Sequence, residues 1–305
     1  MILSAVTGHL VHDGESARKN LPLYKKAGFD AIDYSFFSIH KNADIYDKKT
    51  YNEVFDLPHD EMLAFFKQIR DVLQECDMRV GQTHAPFPSK VLSEGFDDAN
   101  EYTRTVIEKC IEVTAFLGCR YIIVHPIFKK YDSNSSYETE FEDNIKFYSD
   151  FIPTLKKFGV VMCLENMWVR YKGKIYSAVC GDFEEVNRYI DTLNAIAGEE
   201  LFGFCYDSGH STICSADPQR AIKTLGKNIK AVHLHEVDGV NDSHTIPFFG
   251  VTDWERLLKA LSDIGYSGTL NFETYKVWDF MPKEVLPETL ALLGSIGRYF
   301  VKKYF

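Results

Sequence analysis

The chain has no excess of positive charge: 34 Lys and Arg stand against 44 Asp and Glu, a formal net charge of −10. Binding a polyanion needs cationic groups that displace counterions, so this balance argues against a nucleic-acid partner. Long apolar runs are missing as well. None approaches the ~18 residues of a membrane span, and the start, MILSAVTGHL, lacks the basic and long apolar regions of a secretory leader. The cysteines Cys76, Cys110, Cys119, Cys163, Cys180, Cys205 and Cys214 are odd in number and contain no C-x-x-C pair. That pattern speaks against a disulfide scaffold or a cysteine metal site and leads us to expect reduced thiols in a cytoplasmic protein. No G-x-G-x-x-G or G-x-x-x-x-G-K loop follows an apolar run, which counts against a nucleotide-binding fold.

What is present is an alternation of short apolar runs and longer amphipathic segments over the whole chain. Strands are expected at 2–6, 31–34, 79–83, 121–124, 160–164, 201–206, 230–234 and 269–272. Helical periodicity covers 15–27, 59–76, 98–117, 138–158, 183–196, 218–225, 254–264 and 283–301. Gly28, Gly159 and Gly265 fall just beyond helices, where a left-handed cap residue is needed. Runs that are apolar throughout imply strands buried on both faces, hence a parallel sheet covered by helices. Eight such units predict an α/β chain forming one closed (β/α)8 TIM barrel over residues 1–305. Two irregular stretches, 36–58 and 167–181, are expected to lie over a site as lids.

In such a barrel the active site lies at the C-terminal strand ends. Here the third to eighth strands finish at His84, His125, Glu165, Asp207, His235 and Glu273. Each of these residues can bind a metal, and acids are seldom buried without a compensating partner. The densest stretch is 229–254, where His233 and His235 share one strand face and Glu236, Asp238, Asp242 and His244 follow in a polar loop. Imidazoles and carboxylates together suit a divalent cation. A pair of hydrogen-bonded core histidines beside an acidic surface loop is the alternative for this stretch alone. Thr252, with Glu255 three residues on, is expected to cap the next helix. Tyr34, Phe36, Phe37, Trp168, Phe248, Phe249 and Trp278 fall near strand ends or loops, where rings can stack on a sugar. Arg170 and Lys172 either meet an anionic substrate group or are solvated loop charges.

The motifs THAP at 83–86, VHP at 124–126, LEN at 164–166, DSGH at 207–210, HLHEVDG at 233–239, NDSH at 241–244, TDW at 252–254 and NFE at 271–273 occur in order. Taken together they resemble the xylose isomerase-like barrels, specifically the sugar phosphate isomerase/epimerase family with its relatives the ketose 3-epimerases and type IV apurinic endonucleases. The resemblance implies one divalent ion (Mn, Zn, Co or Mg) held by Glu165, Asp207, His235 and Glu273. It also implies that Glu165 and Glu273 shuttle a proton on opposite faces of the substrate, with His210 near a substrate oxygen. Removing a proton beside a carbonyl needs a positioned base and a cation for the enediolate oxygen. The endonuclease branch adds ligands for a three-zinc cluster, and their motif equivalents are His84, His125, His210, Asp242 and His244. His233 is a further candidate for metal or substrate. Where many members carry P-G-x-G after the D-x-H element, this chain has Ile246, Pro247, Phe248, Phe249 and Gly250, which suggests a more apolar wall.

The expectation is thus a metal-dependent isomerase or epimerase of a sugar, sugar phosphate or related polyol, with a small carbohydrate as partner and no membrane association. Two alternatives stand beside it: a multinuclear zinc phosphodiester hydrolase of the endonuclease IV type, and a non-catalytic sugar-binding barrel. Exposed aromatic loops are compatible with a homodimer.

Overall fold

The computed structural model describes residues 1–127 and 136–305. Among the described residues there are ten strands: β1 (Ile2–Val6), β2 (Ala31–Ser35), β3 (Arg79–His84), β4 (Tyr121–Ile123), β5 (Val161–Glu165), β6 (Trp168–Tyr171), β7 (Lys174–Ser177), β8 (Phe202–Asp207), β9 (Ile229–His233) and β10 (Thr269–Phe272). Eight of them pair in parallel in the order β10-β1-β2-β3-β4-β5-β8-β9. The two ends of this order meet at a Leu234–Phe272 bridge, where Leu234 N donates to Asn271 O at 2.8 Å and Glu273 N to Leu234 O at 3.0 Å. The sheet therefore closes into a (β/α)8 barrel, and its strands are those read from the sequence to within one residue at most ends.

The main core lies between the strands' outer faces and the helices. Inside the barrel the lower level is filled by Ile123, Val161, Cys163, Cys205 and Ala231. Above them sit buried polar side chains, Asp33, Gln82 and Asn271, with Asp33 Oδ2 accepting from Gln82 Nε2 and Asn271 Nδ2, both at 2.9 Å. All seven cysteines are unpaired. No helix among the described residues is long and apolar enough to cross a membrane.

Four local differences from the sequence reading have physical causes. The expected helix 138–158 is two helices, Tyr137–Ser149 and Ile152–Phe158, because Pro153 has no N–H with which to continue the ladder to Ser149 O. The stretch 167–181 contains the antiparallel β6–β7 hairpin, whose short, largely exposed strands carry no apolar run. The stretch 36–58 holds a short helix, Asn42–Tyr46. Finally, the helix Trp254–Asp263 is capped by Asp253, which accepts from Arg256 N, and not by Thr252. Thr252 N donates to the Glu236 carboxylate at 2.9 Å, which draws that residue out of the capping position.

Candidate metal centre and substrate pocket

The strand ends deliver their polar residues to one place. Asn166, just after β5, clamps β5 to β8: its Oδ1 accepts from Asp207 N at 2.8 Å and its Nδ2 donates to Asp207 O at 2.9 Å. Asp207 then caps the helix Ser208–Ile213 by accepting from His210 N at 2.6 Å. One strand thus places an acid and, three residues on, a histidine over the barrel mouth.

Among the described residues three groups of candidate ligand atoms converge within 4.8 Å: Glu165, Asp207, His233 and Glu273; His84, Glu165 and His233; and His210, His235, Asp242 and His244. His233 Nδ1 lies 3.3 Å from Glu165 Oε1, 3.6 Å from Glu273 Oε2 and 3.9 Å from Asp207 Oδ2. His125 Nε2 is 3.2 Å from Glu165 Oε2 and 3.0 Å from His84 Nε2. Glu165, Asp207 and Glu273 therefore meet as a set, and the histidine that joins them is His233. His233 is the register partner of Asp207 across β8 and β9. His235 faces the same way but lies two residues further along, beyond the strand end, with Nε2 3.0 Å from Asp207 Oδ2 and 3.9 Å from Asp242 Oδ1. Gly209 makes room for it, since a Cβ there would overlap the His235 ring.

Hydrogen bonds fix the orientation of these histidines. Nδ1–H of His84 donates to Ala85 O (2.7 Å), that of His210 to Asn166 O (2.8 Å) and that of His244 to Glu273 O (3.0 Å). Each bond takes up Nδ1 and leaves Nε2 turned into the site, the orientation metal-binding histidines need. His233 is turned the other way, with Nε2 3.3 Å from Asp33 Oδ2 and Nδ1 toward the glutamates. Asp33 is thus the carboxylate behind the histidine, and it went unnoticed in the sequence. Its signal was there: an acid in the middle of the apolar run Ala31-Ile32-Asp33-Tyr34, where an acid needs a partner.

The buried carboxylates are held charged by their histidine neighbours. Burial alone would favour the neutral form of Glu165, but the neighbouring His233 and His125 outweigh it and hold the carboxyl well below its ordinary range. Glu273 is likewise lowered against burial, by His233 and His244. Burial opposes a charged His244, yet Asp242 and Glu273 push its pKa up to about 10. Protons on histidines thus balance the carboxylates in the protein alone, a role a divalent ion would take over while displacing them. Glu165 Oε2, His233 Nδ1 and Asp242 Oδ1 are buried and make no hydrogen bond. Buried polar atoms without a hydrogen bond are costly unless they have a ligand, and the carboxylate–imidazole set fits a divalent metal.

Over these groups opens a cavity of about 570 Å³, walled by Phe37, Phe87, Met167, Trp168 and Tyr275, with His210, Glu165 and Glu273 among its lining. Phe248 and Phe249 do not contribute to that wall: they are 56% and 71% exposed, and Phe248 turns onto Tyr299 and Phe300. Arg170 and Lys172 lie outside the lining as well; Arg170 Nη2 instead donates to Val240 O at 2.5 Å, tying the β6–β7 hairpin to the loop that carries Asp242.

The outward turn of that loop comes from Glu236, which is fully buried. Its carboxylate accepts from Val237 N (3.1 Å), Phe248 N (3.0 Å), Thr252 N (2.9 Å) and Trp254 Nε1 (2.7 Å). Gly250 permits the approach, because a Cβ there would collide with Val237 O and the Glu236 side chain. Glu236→Ala would leave four donors unpaired, and a loss of about 3 kcal/mol or more is expected in denaturant unfolding, with added mobility at Asp242 and His244. An unchanged midpoint and unchanged hydrogen exchange in 237–253 would contradict this assignment.

A sequence profile of the xylose isomerase-like TIM barrel family matches residues 21–296, and the chain belongs to that family. Among curated proteins it is 26% identical over 216 residues to the uncharacterized protein MJ1311 of Methanocaldococcus jannaschii, covering 70% of each chain. It is 27% identical over 171 residues to the uncharacterized protein y4fM of Sinorhizobium fredii, where the match spans 55% of this chain and only 51% of the relative. Its fold is shared with an L-ribulose 3-epimerase (TM-score 0.71, 16% identity, 100% of this chain and 96% of that one). It is shared too with a D-psicose 3-epimerase studied with D-fructose (0.69, 17%, 99% of each) and the 3-keto-D-glucoside 4-epimerase YcjR of E. coli (0.65, 13%, 96% and 98%).

Proposed function

We propose that the protein is a metal-dependent isomerase or epimerase acting on a sugar or related polyol. The observation that carries this reading is the meeting of two buried glutamates over the barrel mouth. Glu165 from the end of β5 and Glu273 from just beyond β10 are separated by β8 and β9 on one side and by four strands on the other. His233 Nδ1 sits between them at 3.3 and 3.6 Å. Carboxylates facing each other across a substrate allow one to take the proton from the carbon beside a carbonyl and the other to return a proton to the opposite face. Glu165 Oε2, free of hydrogen bonds, is suited to the first task. Glu165, Asp207, His233 and Glu273 would hold the ion; His235 remains the histidine named by the resemblance and lies within reach of Asp207. When bound, the ion supplies a positive charge against the oxygen on which negative charge develops. His210, which lines the cavity, would donate to a substrate oxygen. The aromatic wall keeps water from the exchanging carbon and offers ring faces to the sugar's C–H groups.

A second reading, a multinuclear zinc phosphodiester hydrolase, rests on the two other ligand groups, His84 with Glu165 and His233, and His210 with His235, Asp242 and His244. Elemental analysis of untagged protein prepared without chelator separates the two. About one divalent ion per chain, together with deuterium uptake from solvent into ketoses, is the expected result. Two or three zinc ions with phosphodiester cleavage and no exchange would replace the first reading with the second.

A further inference from the structure

The cavity over the glutamates does not end at its rim. His9, in the loop after β1, lines it and also lines a second cavity of about 700 Å³. This neighbour lies between the first turns of the helix Gly14–Ala27 and residues 278–287. The side chain of His9, the residue common to both linings, is held by an exposed contact, Nε2 to Asp279 Oδ1 at 2.8 Å, with side chains 58% and 48% exposed. A contact so open to water is weakly held, so the two spaces can act as one cleft.

The chemistry of the second cavity is specific enough to name a ligand class. Trp278 supplies an aromatic ring to its lining. The same cavity is lined by Asn20 and by charges of both signs, Asp13, Glu15 and Glu284 with Lys19 and Lys283. Such a lining does not select an ion of either sign; it offers donors and acceptors to a neutral, hydroxyl-rich ligand that also presents a C–H face to a ring, which describes a sugar. The size of the first cavity points the same way. At about 570 Å³ it is in the range that holds drug-sized ligands, roughly 300–1,000 Å³, and a six-carbon sugar alone leaves part of it empty.

We infer that the substrate is a disaccharide or other glycoside. The reacting ring lies over Glu165 and Glu273, and the attached sugar passes His9 into the cavity beside Trp278. The inference rests on the sugar isomerase or epimerase reading above and extends it to the substrate class.

The test compares D-fructose with its reducing glycosides isomaltulose, lactulose and turanose, on the metal-loaded full chain. Binding is measured by titration calorimetry and, separately, deuterium uptake from solvent by mass spectrometry. At least one disaccharide is expected to bind about tenfold or more tighter than fructose. The ratio of disaccharide to fructose affinity should fall toward one in Trp278→Ala and in Lys19→Ala; the latter changes an exposed side chain that the fold does not need. Equal affinity for fructose and all three disaccharides, or a preference that survives both substitutions, overturns the inference. The two claims fail separately: a disaccharide preference lost in both variants, without deuterium uptake into any sugar, keeps the second sugar site and removes the proposed reaction. Uptake into fructose with no disaccharide preference does the reverse.

Discussion

Glu165→Gln and Glu273→Gln are each expected to lower deuterium uptake into substrate by roughly 100-fold to 10,000-fold, the usual worth of a positioned acid or base. The amide has the size and shape of the carboxylate, so the barrel should persist: Glu165 is 1% exposed and Glu273 5%. What the amide lacks is the capacity to take a proton and the charge that faces His233. Both glutamates also belong to a candidate ligand set, so the comparison must be made at saturating metal with occupancy measured on the same sample. Exchange lost while the ion stays bound identifies the proton carriers. Near-normal exchange in both variants would remove the assignment altogether.

The second large effect is expected behind His233. Asp33 is completely buried, and its Oδ2 faces Gln82 Nε2 and Asn271 Nδ2 at 2.9 Å and His233 Nε2 at 3.3 Å. The carboxylate faces Nε2 while Nδ1 faces the glutamates, and a charge on that side of the ring would make Nδ1 a better ligand. Asp33→Asn keeps the volume but turns an amide N–H₂ toward groups that are themselves donors. A loss of about 10-fold to 100-fold in metal affinity is expected, the range for groups that orient a ligand from behind. His233→Ala should weaken binding further than Asp33→Asn, and His235→Ala should weaken it less than His233→Ala. Titration with Mn²⁺ or Zn²⁺ of the metal-free variants measures all three. If His235→Ala proves the most damaging, the ion is centred on Asp207 and His235, as the family resemblance implied, and Asp33 is a core residue only.

The choice between these two histidines shows where sequence reading stops. On a strand, residues two apart face the same side, so His233 and His235 are equivalent in any pattern argument. They become different only because β9 ends at His233, in register with Asp207, while His235 lies beyond the end beside the helix Ser208–Ile213. Glu236 makes the same point. As one acid among several in 236–242 it looks like a surface charge, yet the fold collects four N–H groups around it and leaves none of it in water. The two phenylalanines at 248 and 249 failed as a pocket wall for that reason, since the loop they occupy is turned outward by the same carboxylate. The β6–β7 hairpin was missed because its residues are held by their neighbours and carry no apolar pattern of their own.

The sequence by itself determined the eight buried strands, the helices that cover them, and the polar residues at the strand ends. These are consequences of local periodicity and of the cost of burying polar groups, both visible along the chain. Only the tertiary structure decided which of those residues share a site, which nitrogen of each histidine is turned inward, that Asp33 stands behind His233, and that a second cavity adjoins the first at His9. Each depends on strand register, barrel closure and loop path, which bring together residues as far apart as Asp33 and Asn271 through contacts that no short stretch of sequence records.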